Sequence, residues 1–255
     1  MSAPTATDLD CVAVVDTTFG DVFRLIDGWR EVIERYVVTN EVDVAGIDDL
    51  VETLVVPDLS KDGALIIGAG FVAQPGFIPD APWHLAWWLG HANTFGVTGP
   101  ALPELRRLVA VEDEHSESFR DYTTLEWWRV PSTTHARHIT GPYVDYLCTD
   151  DYTLTLTMPA FSDGSMIGVV GADLYVNDIE RKLLPAVRAA GRSAALVNAS
   201  GRVVVATDSS RPTGSLLRIP DLRERADSLD PAPGPDGRRI VACGTTSLIL
   251  VIDGD

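Results

Sequence analysis

Basic residues are scarce in this chain. Its 20 Lys and Arg stand against 37 Asp and Glu, a formal net charge of −17 over 255 residues. That balance disfavours nucleic acid or an anionic membrane surface as the main partner, because both require clustered Lys and Arg. Long apolar runs are also missing. The longest, Leu65 to Ala73, is nine residues with two glycines, whereas a membrane-spanning helix needs roughly 20. No Lys or Arg precedes Arg24, so the N-terminus lacks the charged start of an export signal. The three cysteines, Cys11, Cys148 and Cys243, are odd in number and far apart, which fits neither a disulfide framework nor a metal knuckle. A cytoplasmic location, with all three as small buried hydrophobes, is the expectation. Catalytic signatures are absent too: there is no G-x-S-x-G, H-E-x-x-H, P-loop or G-x-G-x-x-G opening a helix. His135 and His138 have no cysteine near them, and Asp145 with Asp150-Asp151 does not match a calcium loop. No metal and no cofactor are expected.

What is present reads as globular, with 45% hydrophobic and 22% charged residues. Residues 1–60 are helical in pattern. Phe19, Val22, Ile26, Trp29, Ile33 and Tyr36 recur at spacings of three and four, a helix stripe, with Asp16, Thr17 or Thr18 able to cap its start. A second helix is expected over Ile47 to Val55, ended by Pro57. These 60 residues hold thirteen acids and three arginines. Either the acids form a solvated face, or the segment is a helical arm whose stripe (residues 14–37) pairs across a two-fold axis in a homodimer.

From Gly63 onward the grammar is mostly antiparallel sheet. Ala64 to Val72 reads as a buried strand. The segment from Pro82 to Trp88 suits a helix, with Trp83 and Trp87 on one face. Leu105 to Val111 reads as a strand, and Asp113 to Arg120 as polar and helical. Tyr152 to Met158 alternates Thr153, Thr155 and Thr157 with Leu154 and Leu156, one set on each face. Asp163-Gly164 makes a hairpin turn, and Met166 to Tyr175 is the returning strand. A helix follows from Asn177 and stops at Gly191. A second hairpin joins Ala194–Val197 to Arg202–Ala206, and two further strands, Ile240–Cys243 and Ser247–Ile252, turn at Gly244-Thr245-Thr246. The absence of βαβ alternation makes the fold class α+β: a helical arm over 1–60, a larger module over 61–182 and a smaller one over 183–255.

In this order, YTTLEWW (Tyr122 to Trp128), TGPYVDY (Thr140 to Tyr146), TLTMPAFSDGSMIGVVGADL (Thr155 to Leu174) and ALVNASGRVVVATD (Ala195 to Asp208) resemble the double Cache sensor domains. These are PAS-like (PDC) extracytoplasmic modules of bacterial receptors. The resemblance implies two PAS-like antiparallel sheet modules, with a ligand site in the first. In relatives that bind amino acids, a Tyr, an Arg, a Trp-Tyr pair, a later Tyr and a strand-end Asp line that site. Tyr122 resembles the first Tyr, Trp127-Trp128 the Trp-Tyr pair, Tyr143 the later Tyr, and Asp173 the Asp that takes the ligand's ammonium. The place of the Arg falls on Leu125 or Glu126, neither of which grips a carboxylate. Family receptors usually carry a membrane anchor and an output domain; this sequence shows neither, so a separate transcription regulator or signalling protein is the expected partner.

A cavity walled by Tyr122, Trp127, Trp128, Tyr143 and Trp87, and carrying Asp173, Glu126 and Asp145, suits a cation. Aromatic faces attract ammonium by about 0.5–2 kcal/mol each. If the Trp127-Trp128 segment is extended, only one of the pair faces the pocket, with Trp128 favoured. The bland alternatives are core packing for the tryptophans, including Trp87, a turn or cap for Asp173 and simple exposure for Glu126. The favoured function is a small-molecule sensor for an amine-bearing or amino-acid-like metabolite, without catalysis. The rivals are an interaction module whose pocket is vestigial and whose acidic arm acts, and an enzyme using Asp173 and Glu126 as acid and base.

Overall fold

The computed structural model describes residues 4–95, 104–144, 149, 151–227 and 237–254. The first helix, α1 (Ala6–Thr39), starts well before Asp16. Its start is fixed by a reciprocal cap: the Thr5 N–H donates to Asp8 Oδ2 at 2.9 Å, and the Asp8 N–H donates to Thr5 Oγ1 at 3.2 Å. Phe19, Val22, Ile26, Trp29 and Ile33 are all buried within the chain. The self-pairing expected through residues 14–37 therefore loses its surface. Asp21 and Glu31 are exposed, and on the same helix Arg30 bridges Asp27 at 2.6 Å and Glu34 at 2.9 Å. The second helix, α2 (Val44–Leu59), is capped by the Asp43 carboxylate on the Gly46 N–H at 2.7 Å. It runs through Pro57 rather than ending there, and buries Ile47, Val51, Val55 and Leu59.

A six-stranded sheet follows, in the order β3-β2-β1-β6-β5-β4. Its strands are β1 (Ile66–Ala73), β2 (Leu85–Leu89), β3 (Arg106–Arg107), β4 (His138–Val144), β5 (Tyr152–Ser162) and β6 (Ser165–Tyr175). The helix expected from Pro82 is strand β2. Its residues alternate between faces, so Leu85, Trp87 and Leu89 share one side and Ala86 and Trp88 the other. The i, i+4 pairing of Trp83 with Trp87 does not arise. Of the strand expected over Leu105 to Val111, only Arg106–Arg107 pairs, and Asp113 to Arg120 forms turns rather than a helix. A single helix, α3 (Glu126–Thr134), precedes β4.

The chain continues with α4 (Val176–Ala190) and a four-stranded antiparallel sheet of order β8-β7-β10-β9. Here β7 is Ala194–Val197, β8 Val203–Ala206, β9 Arg239–Ala242 and β10 Ile249–Ile252, with a short α5 (Leu222–Asp227). Ala195, Val197, Val203, Leu222, Ile240, Ile249 and Val251 form its core. The fold is α+β with two antiparallel sheets, as expected. It divides into two compact units, residues 22–140 with 144–175, and residues 1–21 with 141–143 and 176–255. The first 60 residues are thus shared between the units and do not make a separate arm.

In the smaller-sheet unit the start of α1 is held by Asp8 on Arg239 Nε at 3.1 Å and by Asp16 on the Thr245 N–H at 2.9 Å. Cys11 and Cys243 are buried there. Burial, with Asp8 adding, pushes the Cys11 thiol up to about 11, and burial raises Cys243 as well, so both are poor nucleophiles.

Two predictions follow from these anchors. In the larger-sheet unit, buried His84 places Nε2 2.9 Å from Asp48 on α2 and Nδ1 3.0 Å from Glu112, while Arg107 reaches Asp48 at 2.9 Å. His84→Ala removes a buried ring and one partner from each of two carboxylates, of which Asp48 keeps Arg107, and should cost about 2 kcal/mol; a lower urea midpoint at unchanged slope checks it. At the end of β10, Asp253 accepts from Ser193, Arg238 and Arg211 at 2.7, 2.7 and 2.5 Å. Burial alone would raise its pKa, but these bonds outweigh it and hold the carboxyl down at about 2. A depressed carboxylate stabilises the fold above its unfolded pKa, near 3.9, and that gain fades as pH falls toward 2. The stability gap between wild type and Asp253→Asn, read by urea titration, should be full at pH 6 and shrink steadily below pH 4.

Candidate functional site

Strand alternation gives the six-stranded sheet two different faces. On one, Ala86 and Trp88 (β2), Ala69 and Phe71 (β1), Ala172 and Leu174 (β6), and Leu154 and Leu156 (β5) are buried and apolar except for the indole. This face meets α2, as the His84–Asp48 contact shows. The other face carries Trp87 from β2, Gly68 and Gly70 from β1, Gly171 and Asp173 from β6, and Thr153, Thr155 and Thr157 from β5. Helix α3 lies on it, since Thr157 Oγ1 donates to the Trp127 carbonyl at 2.9 Å.

Asp173 sits on this second face because of a bulge. The tight Asp163-Gly164 turn pairs Ser162 with Ser165 and Phe161 with Met166, but the next pair is Ala160 with Gly168. Ile167 is the extra residue, and it moves the register by one. Without it Thr155 would stand opposite Ala172; with it Thr155 stands opposite Asp173. A one-residue slip exchanges the faces of a strand, so the bulge removes Asp173 from the apolar core side. The carboxylate is 1% exposed and Thr155 Oγ1 donates to its Oδ1 at 2.6 Å. Buried carboxylates of this kind are costly to desolvate unless hydrogen-bonded or paired with a charge.

Glycines form the floor beside it. A Cβ on Gly171 would come within 2.8 Å of the Leu156 carbonyl and 2.9 Å of Thr157 Cγ2, with the Trp87 ring at 3.5 Å. A Cβ on Gly68 would meet Trp87 Nε1 at 2.9 Å and Asp173 Oδ2 at 3.5 Å. The Trp87 indole therefore lies over space that side chains at these positions would fill.

An aromatic cluster belongs to the same unit. Tyr122 is 1% exposed and donates its hydroxyl to the Ala73 carbonyl at 2.7 Å. Around it stand the rings of Trp83, Trp127 and Trp128, with centroids at 5.2, 6.1 and 5.1 Å. Burial, with Glu112 and Asp121 adding, raises the Tyr122 phenol well above its usual range, so it stays protonated. Asp121 shapes the entry by capping the turn at Tyr122–Thr124, with the Thr123 N–H at 2.8 Å. Trp127 and Trp128 lie in the first turn of α3, not in an extended segment, and both are buried. The alternation that would have turned one of them away does not operate in a helix. Trp87 and Trp127 each keep a buried indole N–H with no hydrogen-bond partner among the described residues.

The structure brings Trp87, Asp173, Trp127, Trp128 and Tyr122 into one unit, joined through Thr155, Thr157 and Ala73. Glu126 is not among them: it is exposed at the start of α3, where its carboxylate meets His138 Nε2 at 2.9 Å. Tyr143 is half-buried on β4 and belongs to the other compact unit. Asp145 lies outside the described residues. Thr155, as the partner of Asp173, and the glycine floor were not singled out from sequence. The signal available was the run of threonines facing inward opposite a glycine-rich strand. Among the described residues no cluster of His, Cys, Asp and Glu is arranged to hold a metal, and no helix is long and apolar enough to cross a membrane.

Residues 106–181 match the family model described as the first PDC sensor domain of methyl-accepting chemotaxis protein-like receptors. A search of curated proteins finds no match. Among solved structures, the chain resembles a protein described as methyl-accepting chemotaxis protein X, with 17% identity, TM-score 0.64, and coverage of 97% of this chain and 96% of that one. It also resembles the ligand-binding domain of the Pseudomonas fluorescens chemoreceptor CtaA in complex with L-isoleucine, with 16% identity, TM-score 0.56, and coverage of 96% and 88%. A third is the ligand-binding domain of the Pseudomonas aeruginosa amino acid chemoreceptor PctC in complex with GABA, with 14% identity, TM-score 0.54, and coverage of 96% of each chain. Residues 106–181 thus resemble a PDC sensor domain, and the chain as a whole has the double Cache fold of these solved structures.

Proposed function

We propose that this chain is a small-molecule sensor domain that binds an amine-bearing or amino-acid-like metabolite on the Asp173 face of the six-stranded sheet, without transforming it. The observation that carries the reading is the buried Asp173 carboxylate, placed by the Ile167 bulge beside the Trp87 indole and the glycine floor. A ligand ammonium supplies the charge that such a carboxylate pairs with most strongly at low dielectric. Tyr122, Trp127 and Trp128 supply aromatic surface in the same unit. The structural relatives in complex with L-isoleucine and with GABA are consistent with a primary amine in a site of this fold. Occupancy is read by a separate signalling partner in this proposal. An acid–base role for Asp173 with Glu126 finds no support, since Glu126 is exposed and engaged with His138.

Native mass spectrometry of freshly purified protein, followed by denaturation and analysis of what is released, should recover a stoichiometric primary amine of unchanged structure. With that compound in hand, Asp173→Asn keeps the shape of the side chain and removes its charge. Its affinity by calorimetry should fall by at least about 30-fold, the usual effect of removing one partner of a buried charge pair. Unchanged affinity would overturn the assignment of Asp173, and recovery of a chemically altered product would overturn the non-catalytic reading.

A further inference from the structure

Trp87 carries a donor that the described residues leave unused. The residue is 5% exposed, and its Nε1 has no hydrogen-bond partner among the described residues. Buried donors in native proteins are nearly always paired, and leaving one unpaired is costly. The direction of this donor follows from the glycine floor. The benzo end of the ring, at Cη2, is 3.5 Å from the point where a Gly171 Cβ would stand, and Nε1 is 2.9 Å from the corresponding point at Gly68. Asp173 Oδ2 is 3.5 Å from that same Gly68 point. The indole thus stretches across β6 and β1 with its N–H end on the Asp173 side. A Cβ at position 68 would press on the donor and reach the carboxylate, so only glycine lets the Trp87 N–H and Asp173 pack side by side on β1.

We propose that Trp87 Nε1–H is the second anchor of the ligand and a determinant of its specificity, donating to an oxygen two bonds from the carbon that bears the ammonium. The inference rests on the amine reading of Asp173 and goes beyond it, because the carboxylate alone would accept any small ammonium. A donor and a carboxylate side by side select a molecule that offers an acceptor next to its ammonium. An indole N–H is uncharged. It takes a hydroxyl, carbonyl, amide or carboxylate oxygen with modest discrimination, whereas a guanidinium singles out the carboxylate through paired, charge-assisted bonds. The ligand class is therefore the 2-amino alcohols, 2-amino amides and 2-amino acids, with plain alkylamines as poor ligands.

Four probes share one branched three-carbon amine skeleton: L-alaninol, L-alaninamide, L-alanine and isopropylamine. Calorimetric titration of the full chain should show the three oxygen-bearing probes binding about tenfold more tightly than isopropylamine, the effect of one hydrogen bond to a buried donor. Trp87→Phe keeps a ring over the glycines and removes the donor; it should bring all four to the isopropylamine level. The variant should melt no lower than wild type, because it also removes an unpaired buried group. In the ¹⁵N-edited spectrum, the indole resonance lost in Trp87→Phe should shift when L-alaninamide is added to wild type and stay in place with isopropylamine. A preference that survives Trp87→Phe, or an indole resonance indifferent to L-alaninamide, overturns the role of Trp87. The two readings separate through Asp173→Asn. If it weakens all four probes while Trp87→Phe leaves the preference intact, the amine site stands and the Trp87 anchor falls. If wild type binds none of the probes, or Asp173→Asn binds them as wild type does, both fall.

Discussion

The extra residue Ile167 in β6 decides which face of the large sheet carries Asp173. Between the tight turn at Asp163-Gly164 and the bulge, β5 and β6 pair in one register; beyond the bulge they pair in another. Every residue of β6 from Gly168 onward is assigned to its face by that shift. Gly171 in the floor and the Thr155–Asp173 hydrogen bond depend on it, whereas Gly68, Gly70 and Trp87 are set by the β1–β2 register. Gly168 is part of the device, because a Cβ there would overlap the Val72 carbonyl and the Phe71 ring on β1. The site is thus a consequence of strand phase, with side-chain chemistry acting on a pattern already set by the backbone.

The two faces illustrate how little sequence separates core from site. Leu154 and Leu156 stand one step along β5 from Thr155 and Thr157, and all four are buried. The apolar face loses little by burial and gains roughly 25 cal/mol for each Å² removed from water. The threonine hydroxyls and the carboxylate on the other face cost free energy on burial unless they are satisfied. Thr157 finds the Trp127 carbonyl and Thr155 finds Asp173, which ties α3 and β6 to the same strand. Polar groups on a buried face fix relative position more sharply than apolar ones, because each has few acceptable partners.

Much of this was legible beforehand, and the gaps have physical causes. The Phe19–Ile33 stripe, the β5–β6 hairpin with its turn and the four small strands are strong periodic signals between clear punctuation, and each stands where its pattern put it. Strand β2 was misread because Trp83, Trp87 and Trp88 are as compatible with a helix face as with a strand, and five residues are too few for period to decide. The segment Glu126–Thr134 was assigned no element, and the extended case was weighed only as a condition on Trp127-Trp128. Its helix has no side-chain cap at Leu125 and contains Pro131, so the usual start signal is missing. The partnership of Thr155 with Asp173 was beyond reach for a different reason. Counting back from the turn pairs Thr155 with Ala172, and no residue type announces a bulge. The stripe on α1 was read correctly as apolar, but sequence alone did not say what would cover it.

A face built this way ties occupancy to stability within its own unit. The floor glycines, the Trp87 and Trp127 donors and the Asp173 carboxylate stand on or against β1, β2, β5, β6 and α3, which also make the core of that unit. A buried donor without a partner among the described residues costs the fold free energy, since the unfolded chain offers the same group to water. A ligand that accepts from the donor and pairs with the acid removes part of that cost, and it binds the folded chain alone, so its stabilisation grows as RT ln(1 + [L]/Kd). In the proposed reading, ligand binding and the order of this sheet face therefore rise and fall together.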